Sequence, residues 1–508
     1  MNASFLSILM GCIGNSAHSM LPISPTMASE PEVTDRRNGQ LDAQMRAAKS
    51  IVNAINEGTF DLVTQTVLES HDMDVIPSAA TSQIAGRILW LRDCYGPLSI
   101  KSSERLEKGR LMVWARGVHS KAWVGMLFMF SDVHPSKVIG IGLDRGTQPP
   151  TSKALARATS LSEWKTMIQE ATREMSRNKA FSGSFSICIG GKLFFQSSSG
   201  EADRGFHVPN RQETPFPIAS VTKLLTGEAI RLLVSDGKVQ LDSKISQFFP
   251  EFKPETIADI TVSHLLTHTS GIELDDIPAF NLLTPNSLTE AAKDIGKFLA
   301  DTSFRPPAEL GKVYDYSNEN YVLLGRIIEI ASKSNFYDFI DRNILSKVSM
   351  KTTYWSNALP AFVSEAKSYS KRRVDGTFLP QTRNVRRSNF GMSSPAGGLV
   401  SNTIDMQRFA ASFSRRAQNQ GIEVQKIGAF FQSEDQFTQF GMQYRLVNGA
   451  WAMGHSGALV GSSSELWVFP KSNISFVILS NHDSHAPNIL GFLFETMPLA
   501  MFESESRD

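Results

Sequence analysis

Apolar positions first recur at helical spacing between residues 41 and 56. Leu41, Met45, Ala48, Val52 and Ile55 fall on one stripe there, and Glu57-Gly58 ends it. A second helical stretch covers about 82–94 and stops before Tyr95-Gly96-Pro97. The period then shortens. Leu98–Ser102, Leu111–Val118, Ala122–Phe130 and Val138–Leu143 are short runs rich in aromatic and β-branched residues. Polar turns separate them, which predicts an antiparallel sheet of about four strands. Helices followed by a curved sheet make residues 38–146 a small α+β domain, and 147–160, opening on Thr147-Gln148-Pro149-Pro150, read as linker. A helix over 161–178 leads into a hairpin, Ser182–Ile189 and Lys192–Ser197 around Gly190-Gly191, where a second domain spanning 161–502 begins. Beyond it, Val221, Leu224, Leu225, Ala229, Leu232 and Leu233 predict a buried helix that ends at Ser235-Asp236-Gly237. Near the C-terminus, Ile474–Asn481 reads as a buried strand, 487–502 as a helix on the same sheet, and 503–508 as a charged, frayed tail.

A chain of 508 residues is too long for one ordinary core, which agrees with two domains. The formal net charge of +1 gives no electrostatic case for nucleic acid as a partner. No apolar run reaches spanning length, so no transmembrane span is expected. Cys12, Cys94 and Cys188 are scattered, with no Cys-x-x-Cys pair, and support neither a disulfide framework nor a zinc site. Residues 1–36 read as a leader, in which Phe5–Cys12 resembles a short signal core running into a lipoprotein-type Cys although no Lys or Arg precedes it. A periplasmic or secreted location follows as the expectation, with a cytoplasmic protein bearing a disordered leader as the alternative.

The candidate chemistry centres on Ser220 and Lys223. On a helix they lie one turn apart on one face, where an amine with a lowered pKa can share the proton of the alcohol. Spacing alone does not single them out, since it recurs, for example, at Ser162/Lys165, Ser176/Lys179, Ser235/Lys238 and Ser364/Lys367. Context does: Ser220 stands at the N-terminal end of the buried helix, where free N–H groups favour developing negative charge. Three other segments accompany it: Thr261–Gly271, Tyr316-Ser317-Asn318 before an apolar helix, and Gly454-His455-Ser456-Gly457-Ala458 before a strand. Ser393-Ser394-Pro395-Ala396-Gly397-Gly398 reads as a loop that positions backbone. His264 and His268 are four residues apart, but residue 265 is Leu where a zinc hydrolase carries Glu, so both read as structural and no metal is expected. No Gly-x-Ser-x-Gly elbow occurs, which removes the α/β-hydrolase reading.

In this order, Ser-x-x-Lys, Tyr-x-Asn and His-x-Gly over about 165–485 resemble the serine β-lactamase and penicillin-binding-protein superfamily, class C β-lactamases, D-alanyl-D-alanine carboxypeptidases and related esterases above all. The chain holds no second Tyr-x-Asn or His-x-Gly. The resemblance implies an antiparallel sheet built from both ends of the domain, packed by helices, with a largely helical insertion and the active site in the cleft between. It also implies roles: Ser220 as the nucleophile that becomes acylated, Lys223 as its hydrogen-bonded partner, and Tyr316 as the group that moves the proton. Tyr316 can do so at neutral pH only if neighbouring cations lower a pKa near 10. Asn318 would bind the acyl side chain, His455 would line the cleft, Gly457 would let substrate approach, and the N–H groups of Ser220 and Ala458 would form an oxyanion hole worth about 3 kcal/mol per donor. Where many β-lactamases carry Lys at the third motif, this chain has His455, largely neutral at pH 7, so ester or amide hydrolysis without a cofactor is expected ahead of β-lactam hydrolysis. The substrate would be a small molecule or peptide; the cleft-lining segments 272–310 and 355–392 carry no readable specificity code. Residues 40–145, through Ala54-Ile55-Asn56-Glu57-Gly58 and Gly96-Pro97-Leu98, resemble the nuclear-transport-factor-like (SnoaL-like) cone, which can hold a ligand or form the surface of a homodimer. Two alternatives stay open: a penicillin-binding sensor that acylates once without turnover, and a scaffold whose front domain binds the ligand.

Overall fold

The computed structural model describes residues 31–502 apart from 78–79, 107–109, 146–155, 253–258, 273–287, 302–309, 357–364, 374–376, 386–393 and 427–428. The expected leader, most of the linker, the tail and large parts of the two cleft-lining segments lie outside the described residues. The chain divides into two compact units. One is drawn from Met1–Ala156, Arg173–Ala180 and Tyr369–Asn384, the other from Arg157–Thr172, Phe181–Ser368 and Val385–Asp508.

In the first unit, helices Pro31–Glu57, Phe60–Ser70 and Thr81–Tyr95 precede a four-stranded antiparallel meander, Leu98–Leu106, Arg110–Gly117, Trp123–Phe130 and Val138–Arg145. Alternation sorts each strand. Leu111, Val113, Ala115, Val124, Met126 and Phe128 pack against the helices, while Met112, Trp114 and Trp123 cluster on the opposite face. The helix Phe60–Ser70 has no counterpart in the sequence reading. Its buried Val63, Thr66, Val67 and Ser70 keep helical spacing, but two of them are β-branched valines that mimic strand composition. This unit also holds the hairpin Tyr369–Arg372/Phe378–Asn384. Lys371 pairs with Asp93 at 2.6 Å, Phe378 N–H donates to Gln83 Oε1 at 2.7 Å, and the Phe378 ring lies 5.8 Å from that of Trp90.

The second unit is built on an eight-stranded antiparallel sheet. Its order runs Phe430–Ser433, Gln436–Gln439, Met442–Val447, Ala450–Leu459, Ser462–Phe469, Ile474–Ser480, Gly183–Ile189, Lys192–Ser199, so strands from both ends of the unit stand side by side in it. Gly190 and Gly191 turn the Gly183–Ser199 hairpin with positive φ at both positions, a conformation that only glycine takes freely. On one face the core gathers the helices Thr222–Ser235, Glu319–Ser332 and Thr403–Lys426 through Leu224, Leu225, Leu323, Leu324, Phe409 and Phe413. The last helix is His485–Thr496 rather than 487–502, because Pro498 cannot continue it; a 3-10 turn, Leu499–Met501, follows. Among the described residues no helix is long and apolar enough to cross a membrane.

Candidate active site

Ser220 sits in a 3-10 turn, Ala219–Val221, that runs directly into the helix Thr222–Ser235. The chain enters it through Ala219 at φ 47, a left-handed conformation costing an alanine roughly 1–2 kcal/mol. Neighbouring strands hold the bend. The Ile218 N–H donates to the Leu399 carbonyl at 3.0 Å, and the Ser464 hydroxyl donates to the Ile218 carbonyl at 2.7 Å. Behind the turn, Leu224, Leu225, Ile230 and Leu233 are buried, each worth about 1.5–3 kcal/mol as an upper figure, which fixes the helix that carries Lys223.

Lys223 is wholly buried, and its three polar neighbours account for its ammonium group. Nζ lies 3.1 Å from Ser220 Oγ, 2.8 Å from Asn318 Oδ1 and 2.8 Å from the Ala396 carbonyl. Burial lowers its pKa to about 7, against the pull of the nearby Glu319 carboxylate. The site satisfies the neutral amine equally well: two N–H groups serve Asn318 and Ala396, and the lone pair faces the Ser220 hydroxyl. The Tyr316 hydroxyl donates to Ser220 Oγ at 2.9 Å, and Lys223 Nζ lies 4.9 Å from the centre of the Tyr316 ring. Burial pushes the Tyr316 hydroxyl above its ordinary pKa. The lowered value that a phenolate base would need is thus the reverse of what this structure provides.

The third segment occupies the strand Ala450–Leu459. Asn448-Gly449 is a two-residue turn joining Val447 to Ala450, which places Ala450, Ala452 and Gly454 in the bonded set with Met442–Val447. By alternation, Ser456 and Ala458 turn their N–H groups to that same edge beyond Gly454, where the pairing has ended, leaving them on an open edge. His455 is 3 % exposed, and its Nδ1–H donates to the Ser456 carbonyl at 2.5 Å, so Nε2 presents a bare lone pair. Burial first, then the charge of Lys223, lowers its pKa to about 3. This position therefore offers an acceptor and no cation. Gly457 has a packing duty that the sequence reading does not include. A Cβ there would stand 2.4 Å from the Ile218 carbonyl and 2.4 Å from Ser464 Oγ, so the glycine admits the nucleophile turn. Behind the strand, Ser456 Oγ and Trp467 Nε1 both donate to Glu465 Oε2, at 2.6 and 2.7 Å, and burial raises Glu465 to about 7.

Hydrogen bonds link Tyr316 to Ser220, Ser220 to Lys223 and Lys223 to Asn318, with His455 beside them at 6.3 Å between its ring and that of Tyr316. Sequence reasoning missed the Ala396 carbonyl, Glu319 and His268, whose ring stacks on Tyr316 at 4.3 Å. A backbone acceptor leaves no trace in side-chain identity, and reading His264 and His268 as structural names no partner for either. His264 caps its own short helix, exchanging bonds with Thr261. Among the described residues the only group with metal-ligand geometry is Asp72, Asp74 and His134, in the other unit.

Residues 168–490 match the profile of the Beta-lactamase family. "Protein flp" of Staphylococcus aureus (strain MW2) is 27% identical over 317 residues, covering 60% of this chain and 61% of that protein, so the match spans less than two thirds of the relative's length. Among solved structures, an octameric penicillin-binding protein homologue from Pyrococcus abyssi has a TM-score of 0.53 at 23% identity, covering 66% of this chain and 79% of its own. The D-amino acid amidase of Ochrobactrum anthropi SV3 has a TM-score of 0.51 at 21% identity, covering 68% and 99%. Both show the fold.

Proposed function

Because this chain belongs to the Beta-lactamase family, we propose that it is a serine hydrolase that cleaves an ester or amide through an acyl-enzyme on Ser220. One observation carries the reading: two proton-carrying groups, Lys223 Nζ at 3.1 Å and Tyr316 OH at 2.9 Å, meet on the oxygen of a single alcohol. Lys223, not Tyr316, is the base of the free enzyme, since its pKa of about 7 leaves much of it as the amine at neutral pH. Ser220 Oγ attacks the acyl carbon as its proton passes to Lys223. The tetrahedral oxyanion forms against the N–H groups of Ser220 and Ala458. Its collapse expels the alcohol or amine, which takes back the proton held on Lys223 Nζ while the Tyr316 hydroxyl, 2.9 Å from Ser220 Oγ, hydrogen-bonds the leaving atom. Water then repeats the cycle in reverse roles and releases the acid. Asn318, held at Oδ1 by Lys223, offers its NH2 to the acyl side chain. The apolar run Phe5–Cys12 supports the periplasm or exterior as the setting.

A fluorophosphonate probe is expected to label Ser220, read by mass spectrometry of the tryptic peptides, and p-nitrophenyl esters are expected to turn over steadily. Labelling without turnover would favour the one-shot penicillin-binding sensor. No labelling at Ser220 would sink the reading and leave the scaffold role of the first unit.

Two further outcomes follow. The amine form of Lys223 increases with pH, so kcat/KM should fall about tenfold per unit below pH 7 and level off above it; a profile flat from pH 5 to 8 counts against Lys223 as base. His455 adds no charge over that range, so a chromogenic cephalosporin, which needs its carboxylate held, should react at least about tenfold more slowly than a neutral ester. A cephalosporin rate equal to the ester rate would contradict this.

A further inference from the structure

We infer that His268 is the positioning residue of Tyr316, holding the phenol's plane and backbone so that its hydroxyl stays on Ser220. The inference rests on the acyl-hydrolase reading given above. His268 holds the segment Asp315–Ser317 in three ways at once. Its carbonyl accepts the N–H of Asp315 at 2.7 Å, its Nδ1 accepts the N–H of Ser317 at 3.1 Å, and its ring stacks on that of Tyr316 at 4.3 Å with 25° between planes. The peptide that follows the tyrosine and the one that precedes Asp315 are therefore tied to one residue, and the phenol face lies against the same residue's ring. A tyrosine has two side-chain torsions; clamped backbone and a stacked face leave neither free.

The clamp is itself anchored. His268 is 1 % exposed and takes φ 57, a left-handed conformation that a β-carbon disfavours and that surrounding bonds must sustain. Those bonds are present on either side of it. Thr267 Oγ1 donates to the Ser263 carbonyl at 2.8 Å, the Gly311 N–H donates to the Thr269 carbonyl at 3.2 Å, and the Ser270 hydroxyl donates to Asn320 Oδ1 at 2.7 Å. Tyr321 backs the imidazole at 5.1 Å, and Tyr314 meets it edge-on at 5.7 Å. The Nδ1 contact requires an unprotonated nitrogen. Burial and the neighbouring Lys223 and His455 keep the ring's pKa well below its ordinary value, so the acceptor persists across the working pH range.

The test uses the full chain, with His268→Phe, which keeps a stacking ring and loses the acceptor, and His268→Asn, which keeps an acceptor and loses the ring. Each is also combined with Tyr316→Phe. Circular dichroism and thermal melts identify folded variants, and the readouts are the rate of fluorophosphonate labelling at Ser220 and kcat and KM for a p-nitrophenyl ester. A displacement of the hydroxyl by about 1 Å corresponds to losses on the order of a hundredfold in kcat and in labelling, with KM within about threefold. In the Tyr316→Phe background, where no hydroxyl remains to be placed, the same substitutions should cost less than about threefold. Full additivity of the two losses, or single variants with wild-type kcat and labelling, would overturn the inference. If every single variant unfolds, His268 acts as scaffold for the whole unit and the specific inference fails. Wild-type protein that is not labelled at Ser220 fails the acyl-hydrolase reading itself and takes this inference with it; a labelled wild type with indifferent His268 variants fails the inference alone.

Discussion

Lys223→Met is expected to lower kcat/KM for ester turnover by about a thousandfold, and fluorophosphonate labelling by a similar factor, while the protein stays folded. Methionine fills nearly the same buried volume, so packing of the helix Thr222–Ser235 survives. The Ala396 carbonyl and Asn318 Oδ1 lose a donor, at about 1–3 kcal/mol each, but the variant no longer has to keep an amine out of water. What disappears is the only described nitrogen that bonds Ser220 Oγ. Lys223→Arg separates the two ways a cation could act. Arginine keeps positive charge and cannot release its proton near pH 7, so it should be as inactive as methionine if the amine is the base. Activity of either variant within tenfold of wild type would remove Lys223 from the chemistry. Near-ultraviolet circular dichroism guards against loss of tertiary packing as the explanation.

Gly457→Ala should damage both stability and catalysis through one added carbon. That carbon would lie 2.4 Å from the Ile218 carbonyl and 3.1 Å from the Ala219 Cβ, so the nucleophile turn has to move away from the strand. Overpacking of this kind costs about 1–3 kcal/mol, visible as a lower denaturation midpoint. A shift of the Ser220 turn relative to the Ala458 N–H by even 1 Å should lower kcat by about a hundredfold. Gly491→Ala is the matched control, because nothing lies within 4 Å of a Cβ built there and the residue is helical; it should hold activity and gain up to about 1 kcal/mol. A fully active Gly457→Ala protein would show that the turn and the strand are not rigidly docked.

Much of the site was legible because the chemistry demands particular side chains at particular separations. An alcohol and an amine three residues apart on a buried helix, with a Tyr-x-Asn before another apolar helix, survive as a linear pattern even though they meet only in space. The helix-then-sheet character of the first unit was legible in the change from helical to strand spacing after residue 96, whereas the fold of the second was implied only by the resemblance that its three motifs carry. The sense of Tyr316's titration was not. It depends on how completely the phenol is enclosed, a sum over neighbours from several segments. Nor could the sequence separate the packing duty of Gly457 from a substrate-facing one, since both ask for the same missing Cβ. His268 shows a further limit: two of its three holds on the segment Asp315–Ser317 are made to main-chain N–H groups, which nearly any residue type supplies.

The order of strands in the large sheet carries a consequence for biosynthesis. Ile474–Ser480 lies between Ser462–Phe469 and Gly183–Ile189, with Gly183 opposite Ser480, so the Gly183–Ser199 hairpin gains its neighbour only after residues 474–480, about 280 positions further along the chain, have left the ribosome. Until then Phe185 and Ile187 belong to an unfinished edge able to pair with another nascent copy. Translation stalled or truncated before residue 474 should therefore yield aggregates or chaperone-bound chains instead of a smaller folded unit, a result that pulse-labelled synthesis followed by limited proteolysis would reveal directly.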